Sequence, residues 1–234
     1  MIAPRSKTGI DGIDAALDGG VRSGSFCIIS GPSLSGRELL AQQFFFAGLS
    51  SEEAGTFLTT KEFMGDVVGQ MAERGMELSR FPGRHVFIDS YSPQSDPSLQ
   101  DTPEVKYVAS VADFAKLSNT IITAMTEFTS RGIFQQRLVV DSIDTVLMYV
   151  SAAGVYRFLS YLRAKVKGLK AVSFLLIQPD LHEEKDVKTI MQLADVLIEM
   201  DPNSGILSVA QTGSPKQTFR YRIGDKGIEV WKGE

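Results

Sequence analysis

The chain has 234 residues, 43% of them hydrophobic and 22% charged, with a formal net charge of −4; this suits one large α/β domain with a core that needs no staples and excludes a protein-wide basic field of the kind that draws nucleic acid. The single cysteine, Cys27, excludes an internal disulfide and fits a reducing cytoplasm. No stretch is long and apolar enough to span a membrane, and the opening MIAPRSKTGIDG lacks the apolar segment of a signal peptide.

In chain order, FCIIS (26–30) reads as a buried strand in which Cys27 is a small hydrophobe rather than a nucleophile. Residues 36–49 follow as a helix with Leu39, Leu40, Phe44 and Ala47 on one face. GTFLTT (55–60) is the next strand, 62–75 a helix ending at Gly75, and HVFID (85–89) a third strand. A loop rich in Ser, Pro, Asp and Gln covers about 90–105. Val111, Phe114, Leu117, Ile121, Ile122 and Met125 recur at helical spacing and predict a long amphipathic helix over 110–131. RLVVD (137–141) is a strand, 151–167 a helix, AVSFLLI (171–177) a strand, 184–193 a helix and DVLIEM (195–200) a strand.

The C-terminal part changes rhythm. ILSVAQT (206–212), TFRYRI (218–223) and GIEVWK (227–232) are strands separated by Asn203-Ser204-Gly205, Gly213-Ser214-Pro215 and Gly224-Asp225-Lys226-Gly227. Alternating strands and helices imply an α/β fold: a mainly parallel sheet sandwiched between helices in three layers. The closely spaced strands at the end imply an antiparallel extension. With no internal repeat and no linker, residues 1–234 are expected to form one domain.

Gly31-Pro32-Ser33-Leu34-Ser35-Gly36-Arg37-Glu38 lies between a strand and a helix. The phosphate-loop pattern, G-x-x-x-x-G-K-[S/T], has that context, and both outer glycines are at the right spacing. Arg37 stands at the lysine position and Glu38 at the Ser/Thr position. Downstream, Arg137-Leu138-Val139-Val140-Asp141 is an apolar strand tipped by an acid, the placement used to hold Mg²⁺ in phosphate-loop ATPases.

The stretch Thr8-Gly9-Ile10-Asp11-Gly12-Ile13-Asp14-Ala15-Ala16-Leu17-Asp18-Gly19-Gly20, with Ser23-Gly24-Ser25, resembles the opening of KaiC-family domains. That family is the RecA-superfamily branch with the circadian-clock ATPase and archaeal FlaH-like proteins. The resemblance continues through Phe87-Ile88-Asp89-Ser90-Tyr91-Ser92, Val139-Val140-Asp141-Ser142, Leu193-Ala194-Asp195-Val196-Leu197-Ile198 and Gly227-Ile228-Glu229-Val230, nearly the whole chain in order. It implies a RecA-like three-layer α/β/α sandwich and, in intact members, ATP and Mg²⁺ bound at the loop.

Several positions depart from what the resemblance implies. A family glycine is matched by Leu34, which either strains the loop or changes its path. Arg37 is larger and planar where lysine is a compact charge, although an arginine at a helix N-terminus still favours anions. Glu38 sets a carboxylate where a Mg²⁺-binding hydroxyl belongs; facing a triphosphate about 4 Å away, it is repelled by about 4 kcal/mol. Glu38 also reads as a helix-start acid that suits the macrodipole of an empty site. The family's paired glutamates read Lys61-Glu62, and its K-x-R-G-S segment, which reaches a neighbour's nucleotide in hexamers, reads Ala210-Gln211-Thr212-Gly213-Ser214. Lys216 and Arg220 lie nearby but out of register; a slipped alignment would bring one of them into that role.

Phosphoryl transfer depends on positioning and charge neutralisation by those parts. The expectation is a pseudo-ATPase: a vestigial phosphate loop of Gly31, Ser35, Gly36, Arg37 and Glu38, with vestigial Glu62 and Asp141. ATP and Mg²⁺ are disfavoured, and the work is done through a protein partner or a homo-oligomer. Arg37 and Lys61 are expected to neutralise Glu38, Glu62 and Asp141, with Arg37–Glu38 or Arg37–Asp141 as the leading pair. An ATP-binding switch or weak ATPase and a DNA-associated RecA paralogue are the alternatives.

Other signals point elsewhere than chemistry. His85 and His182 with one cysteine do not make a structural metal site. There is no G-x-S-x-G and no G-x-G-x-x-G. His182-Glu183-Glu184-Lys185-Asp186-Val187-Lys188 sets three acids against two lysines, a solvated helix start rather than a phosphate-backbone contact. Tyr91, Tyr107, Tyr149, Tyr156 and Tyr161 read mostly as core or interface residues rather than base-stacking platforms.

Overall fold

The computed structural model describes residues 4–233; residues 1–3 of the opening stretch and Glu234 lie outside that description. The chain starts with β1 (Arg5–Ser6), α1 (Asp11–Ala16) and β2 (Val21–Arg22), the two strands forming an antiparallel ribbon. Then come β3 (Phe26–Ser30), α2 (Arg37–Ser50), β4 (Ala54–Thr59), α3 (Met64–Glu73), β5 (His85–Asp89) and β6 (Val105–Tyr107). The middle holds α4 (Phe114–Ser130), β7 (Gln136–Val140), α5 (Ile143–Tyr149), α6 (Ala152–Gly168), β8 (Val172–Ile177) and α7 (Glu184–Met191). The chain closes with β9 (Val196–Asp201), β10 (Ile206–Gln211), β11 (Gln217–Gly224) and β12 (Gly227–Trp231).

Ten strands form one sheet in the order β12-β11-β10-β9-β3-β8-β7-β4-β5-β6. From β9 to β6 every neighbour is parallel; β9 through β12 are antiparallel. The continuous apolar run of β3 is what two covered faces require. Cys27 and Ile29 enter one core with α1, α2 and α3, while Phe26 and Ile28 enter the other with α4, α5, α6 and α7. The layers are therefore those of the expected RecA-like α/β sandwich, with the expected antiparallel extension.

Local polar chemistry explains where the sequence reading stopped short. The helix expected from 110 begins at Phe114, because the Asp113 side chain accepts from the Lys116 amide at 2.9 Å and caps it. Val111 is buried but belongs to the lead-in. The expected loop over 90–105 ends in β6, an edge strand that reaches back to pair with β5. Helix α5, too short for a periodicity signal, starts on the Ser142 hydroxyl, which accepts from the Thr145 amide. In the opening segment, Asp14 accepts from the Thr8 amide and hydroxyl at 2.6 and 2.8 Å, so those two residues fasten α1 to its lead-in.

At the opposite end of the sheet from the strand tips, Arg137 at the start of β7 is fully buried. Its Nε and Nη2 meet the two Glu53 oxygens at 2.7 and 3.0 Å, and Nη1 donates to the Phe44 carbonyl. The guanidinium carbon lies 4.4 Å from the centroid of the Phe44 ring. Gly48 leaves room for it: a Cβ there would collide with the arginine side chain.

Candidate functional site

The carboxyl ends of β3, β4, β7 and β8 lie at one edge of the sheet, so the segments that follow them converge there. This edge is where open α/β sheets place their sites. Loop 31–36 joins β3 to α2. Gly36 has φ 89°, and a Cβ on it would come within 2.7 Å of the Ile228 side chain. Leu34 also takes a left-handed conformation, φ 63°, which costs a non-glycine residue about 1–2 kcal/mol. Its side chain points almost entirely into solvent.

Arg37, the first residue of α2, folds back under this loop and is buried. Its Nη1 donates to the Gly31 carbonyl, Nη2 donates to Gln178 Oε1 at 3.1 Å, and Nε donates to Glu38 Oε1 at 3.0 Å. The same Glu38 oxygen accepts from Lys61 Nζ at 2.6 Å. Burial alone would raise the Glu38 carboxyl; Lys61 and then Arg37 overcome that and hold it below its ordinary value.

A second arm of the network runs through Asp144. Its Oδ2 lies 4.0 Å from Arg37 Nη2, and its Oδ1 accepts from the Gln178 amide at 2.9 Å and lies 2.9 Å from His182 Nε2. Ser33 donates to Gln178 Oε1 at 2.9 Å, which ties the loop to the segment after β8. A cleft of about 670 Å³ lies here, and its lining includes Leu34, Arg37, Glu38, Lys61, Asp144 and Gln178.

Over residues 6–234 the sequence matches the family model described as "ATPase: KaiC". The chain belongs to the KaiC family. A UPF0273 protein of Thermotoga maritima is 25% identical over 98% of this chain and 97% of its own length. A UPF0273 protein of Pyrococcus horikoshii is 25% identical over 97% of this chain and 94% of its own. The circadian clock oscillator protein KaiC of Parathermosynechococcus lividus is 28% identical over 66% of this chain, but the match spans only 26% of that longer protein. Among solved structures, a KaiC-like protein of Pyrococcus horikoshii OT3 superposes with a TM-score of 0.73 over 98% of this chain and 99% of its own, at 18% identity. That likeness concerns the fold.

Within the KaiC fold, the residues singled out from sequence are brought together unevenly. Gly31, Ser35, Gly36, Arg37 and Glu38 form the loop and first turn of α2, and Arg37–Glu38 is the pair that forms. Arg37–Asp141 does not. Asp141 lies just past β7, is buried, and spends both oxygens on β4 and its exit: Oδ2 accepts from Thr59 Oγ1 at 2.8 Å, Oδ1 from the Thr60 amide and hydroxyl at 2.9 Å each. Burial pushes its carboxyl up to about 6, against the Thr59 hydrogen bond, Lys61 and the Thr60 hydrogen bonds. Glu62 also stays out of the ionic network, its Oε2 accepting from Gln70 Nε2 at 2.8 Å.

Lys216 pairs with Glu199 at 2.5 Å, and Arg220 donates to the Ser204 carbonyl at 2.7 Å. Lys216 borders a separate cavity of about 520 Å³ behind the loop, along with Asp180, Glu199 and Asp201. His182 is not part of a solvated helix start; it turns inward to Asp144. Sequence reasoning missed Asp144, Gln178 and His182. Asp144 carried a readable signal, an acid three residues past Asp141 within the Asp-Ser-Ile-Asp stretch; Gln178 and His182 meet it only through the parallel pairing of β7 and β8. Cys27 is buried as expected, whereas Tyr149 and Tyr161 are exposed rather than core. No helix among the described residues is long and apolar enough to cross a membrane.

Proposed function

We propose that this KaiC-family chain is a pseudo-ATPase that does not turn over ATP and acts as one unit through protein contacts in a reducing cytoplasm. The observation that carries the reading is the Lys61–Glu38–Arg37 chain of contacts at the mouth of the phosphate loop. In a working site a lysine is free to reach phosphate and a hydroxyl is free to reach Mg²⁺. Here the cation at the lysine position holds the loop's own Gly31 carbonyl, and the group at the hydroxyl position is a carboxylate bearing two cations.

The donor set fits Mg²⁺ poorly. Glu38 Oε1 is taken by Arg37 and Lys61, and both Asp141 oxygens are taken by Thr59 and Thr60. An incoming triphosphate has to break these contacts and meet the Glu38 charge. No catalytic step is therefore assigned to Glu62 or Asp141. A second reading, an ATP-binding switch without turnover, is favoured by one observation: the cleft beside the loop remains open at about 670 Å³.

The test is a titration with labelled ATP, with and without Mg²⁺, alongside an inorganic phosphate assay. The wild-type chain is expected to release no phosphate and to bind ATP more weakly than about 1 mM. The combined changes Leu34→Gly, Arg37→Lys and Glu38→Thr are expected to tighten binding at least about tenfold, or about 1.4 kcal/mol. Saturable micromolar binding by the wild type without hydrolysis selects the switch. Magnesium-dependent phosphate release that disappears in Asp141→Ala refutes the pseudo-ATPase.

A further inference from the structure

Four separate elements place large apolar side chains around the same cleft, and all four are turned toward solvent. Leu34 on the phosphate loop is 88% exposed, Met148 on α5 77%, Leu181 in the turn after β8 60%, and Ile223 on β11 50%. Single exposed apolar residues are ordinary; a group of them rimming one concave surface marks a contact site. Leu34 is the most telling of them. It sits in a left-handed conformation that glycine or asparagine takes more cheaply, and its side chain packs on almost nothing. It burdens the free chain twice, through its backbone and through its apolar surface in water.

The ionic groups inside the rim say what chemistry fits. The cleft is lined by three cations, Arg37, Lys61 and Arg74, and three acids, Glu38, Glu62 and Asp144. Arg37 and Lys61 converge on Glu38, and Asp144 is held by Gln178 and His182. The lining thus carries no net charge to draw a phosphate, a nucleic acid or an anionic membrane, while its rim offers apolar surface. A neutral occupant with an apolar anchor matches both features.

We infer that this cleft is a docking site for a protein segment presenting an uncharged aliphatic or aromatic anchor, received by Leu34, Met148, Leu181 and Ile223. The inference rests on the protein-contact reading above and gives it an address. Leu34 is then the residue that trades stability of the free chain for contact with the partner.

The experiment selects twelve-residue random peptides displayed on phage against the full chain, followed by anisotropy titration of the enriched sequence as a labelled synthetic peptide. Enriched peptides are expected to carry apolar anchors with no net charge, and their affinity to be nearly unchanged between about 0.1 M and about 1 M NaCl. Leu34→Asn and Met148→Ser are each expected to weaken binding by tenfold or more, with the melting temperature of Leu34→Asn equal to or above that of the wild type. No enrichment, acidic or basic consensus peptides whose binding collapses in salt, or binding indifferent to both variants overturns the inference. So does a lower melting temperature for Leu34→Asn, which makes Leu34 part of the fold. Concentration-dependent self-association of the wild type that Met148→Ser abolishes also overturns it, by giving the surface to a second copy. Phosphate release measured on the same preparation keeps the two readings apart: turnover refutes the pseudo-ATPase, and failed peptide binding refutes only the docking site.

Discussion

Arg37 and Arg137 are both buried and both meet a glutamate at 3.0 Å or less, yet they sit in opposite regimes. Arg137 and Glu53 are sealed between α2 and the sheet, with side chains 1% and 6% exposed, and each guanidinium nitrogen has an acceptor, among two carboxylate oxygens and a carbonyl, while the group also lies by the Phe44 ring. Arg37 lies at the wall of an open cleft; its partner Glu38 and the second cation, Lys61, are each about one-quarter exposed or more, at 27% and 30%. The first arrangement is shut away from water with its charge paired, so it serves the fold. The second is held just inside the surface, where neighbouring charges can rearrange around something that arrives.

The largest effect that tests this contrast is at Arg137. Removing one member of a buried pair leaves the other charge uncompensated in a dry interior, and Arg137→Ala is expected to cost about 3–5 kcal/mol. Chemical denaturation followed by circular dichroism measures it. Replacing both partners by apolar residues of similar volume, Arg137→Met with Glu53→Leu, is expected to recover most of the loss. If Arg137→Ala costs less than the cleft variants below, the division between fold-serving and site-serving arginines fails.

A second test concerns Asp141, whose burial matches Arg137 but which has no cation in hydrogen-bonding contact. Thr59 Oγ1 has one proton and two acceptors, the Glu62 carbonyl and Asp141 Oδ2, both at 2.8 Å. A protonated Asp141 resolves the conflict by donating to Thr59, which then donates onward to Glu62. The folded value near 6 lies above the unfolded value near 3.8, so the folded chain binds this proton more tightly. Stability from this group is complete below about pH 4 and is lost as pH rises through 6. Asp141→Asn keeps the shape and supplies the donor. It is expected to raise stability by about 2–3 kcal/mol at pH 8, with the gain shrinking toward zero near pH 4. Thermal melts of both proteins across that range decide it; a loss of stability at pH 8 means the carboxylate is needed in its charged form.

Legibility in the sequence followed the range of the interaction. The parallel strands were visible because their apolar runs are continuous, and the antiparallel end because turn residues punctuate it at short spacing. Helix α5 was not visible: it is too short for periodicity, and its start depends on a serine cap. The loop with Arg37 and Glu38 was legible from glycine spacing between a strand and a helix. Its partner Gln178 was not, since it arrives from more than a hundred residues downstream through the pairing of β3 with β8, and His182 reaches Asp144 only because β7 lies beside β8. Asp141 was placed correctly as a strand-tip acid, but its engagement with Thr59 and Thr60 depends on β4 lying beside β7. Charge signs in a sequence say which groups can neutralise one another; strand order says which do.

The smallest expected effect completes the contrast at Lys61. Its ammonium reaches Glu38 from a side chain that water also reaches, so removing it lets solvent re-enter, while Arg37 Nε still holds the same oxygen at 3.0 Å. A partly exposed pair of this kind contributes about 1 kcal/mol or less. Lys61→Ala is expected to lower stability by no more than that at low salt and by less at high ionic strength, where the exposed charges are screened. Glu38→Gln, measured in the same denaturation series, keeps an acceptor oxygen but removes the negative charge shared by both cations, and leaves Arg37 on the Gly31 carbonyl and Gln178. If Lys61→Ala instead costs as much as Arg137→Ala, the cleft is as closed as the interior, and the contrast between the two arginines fails.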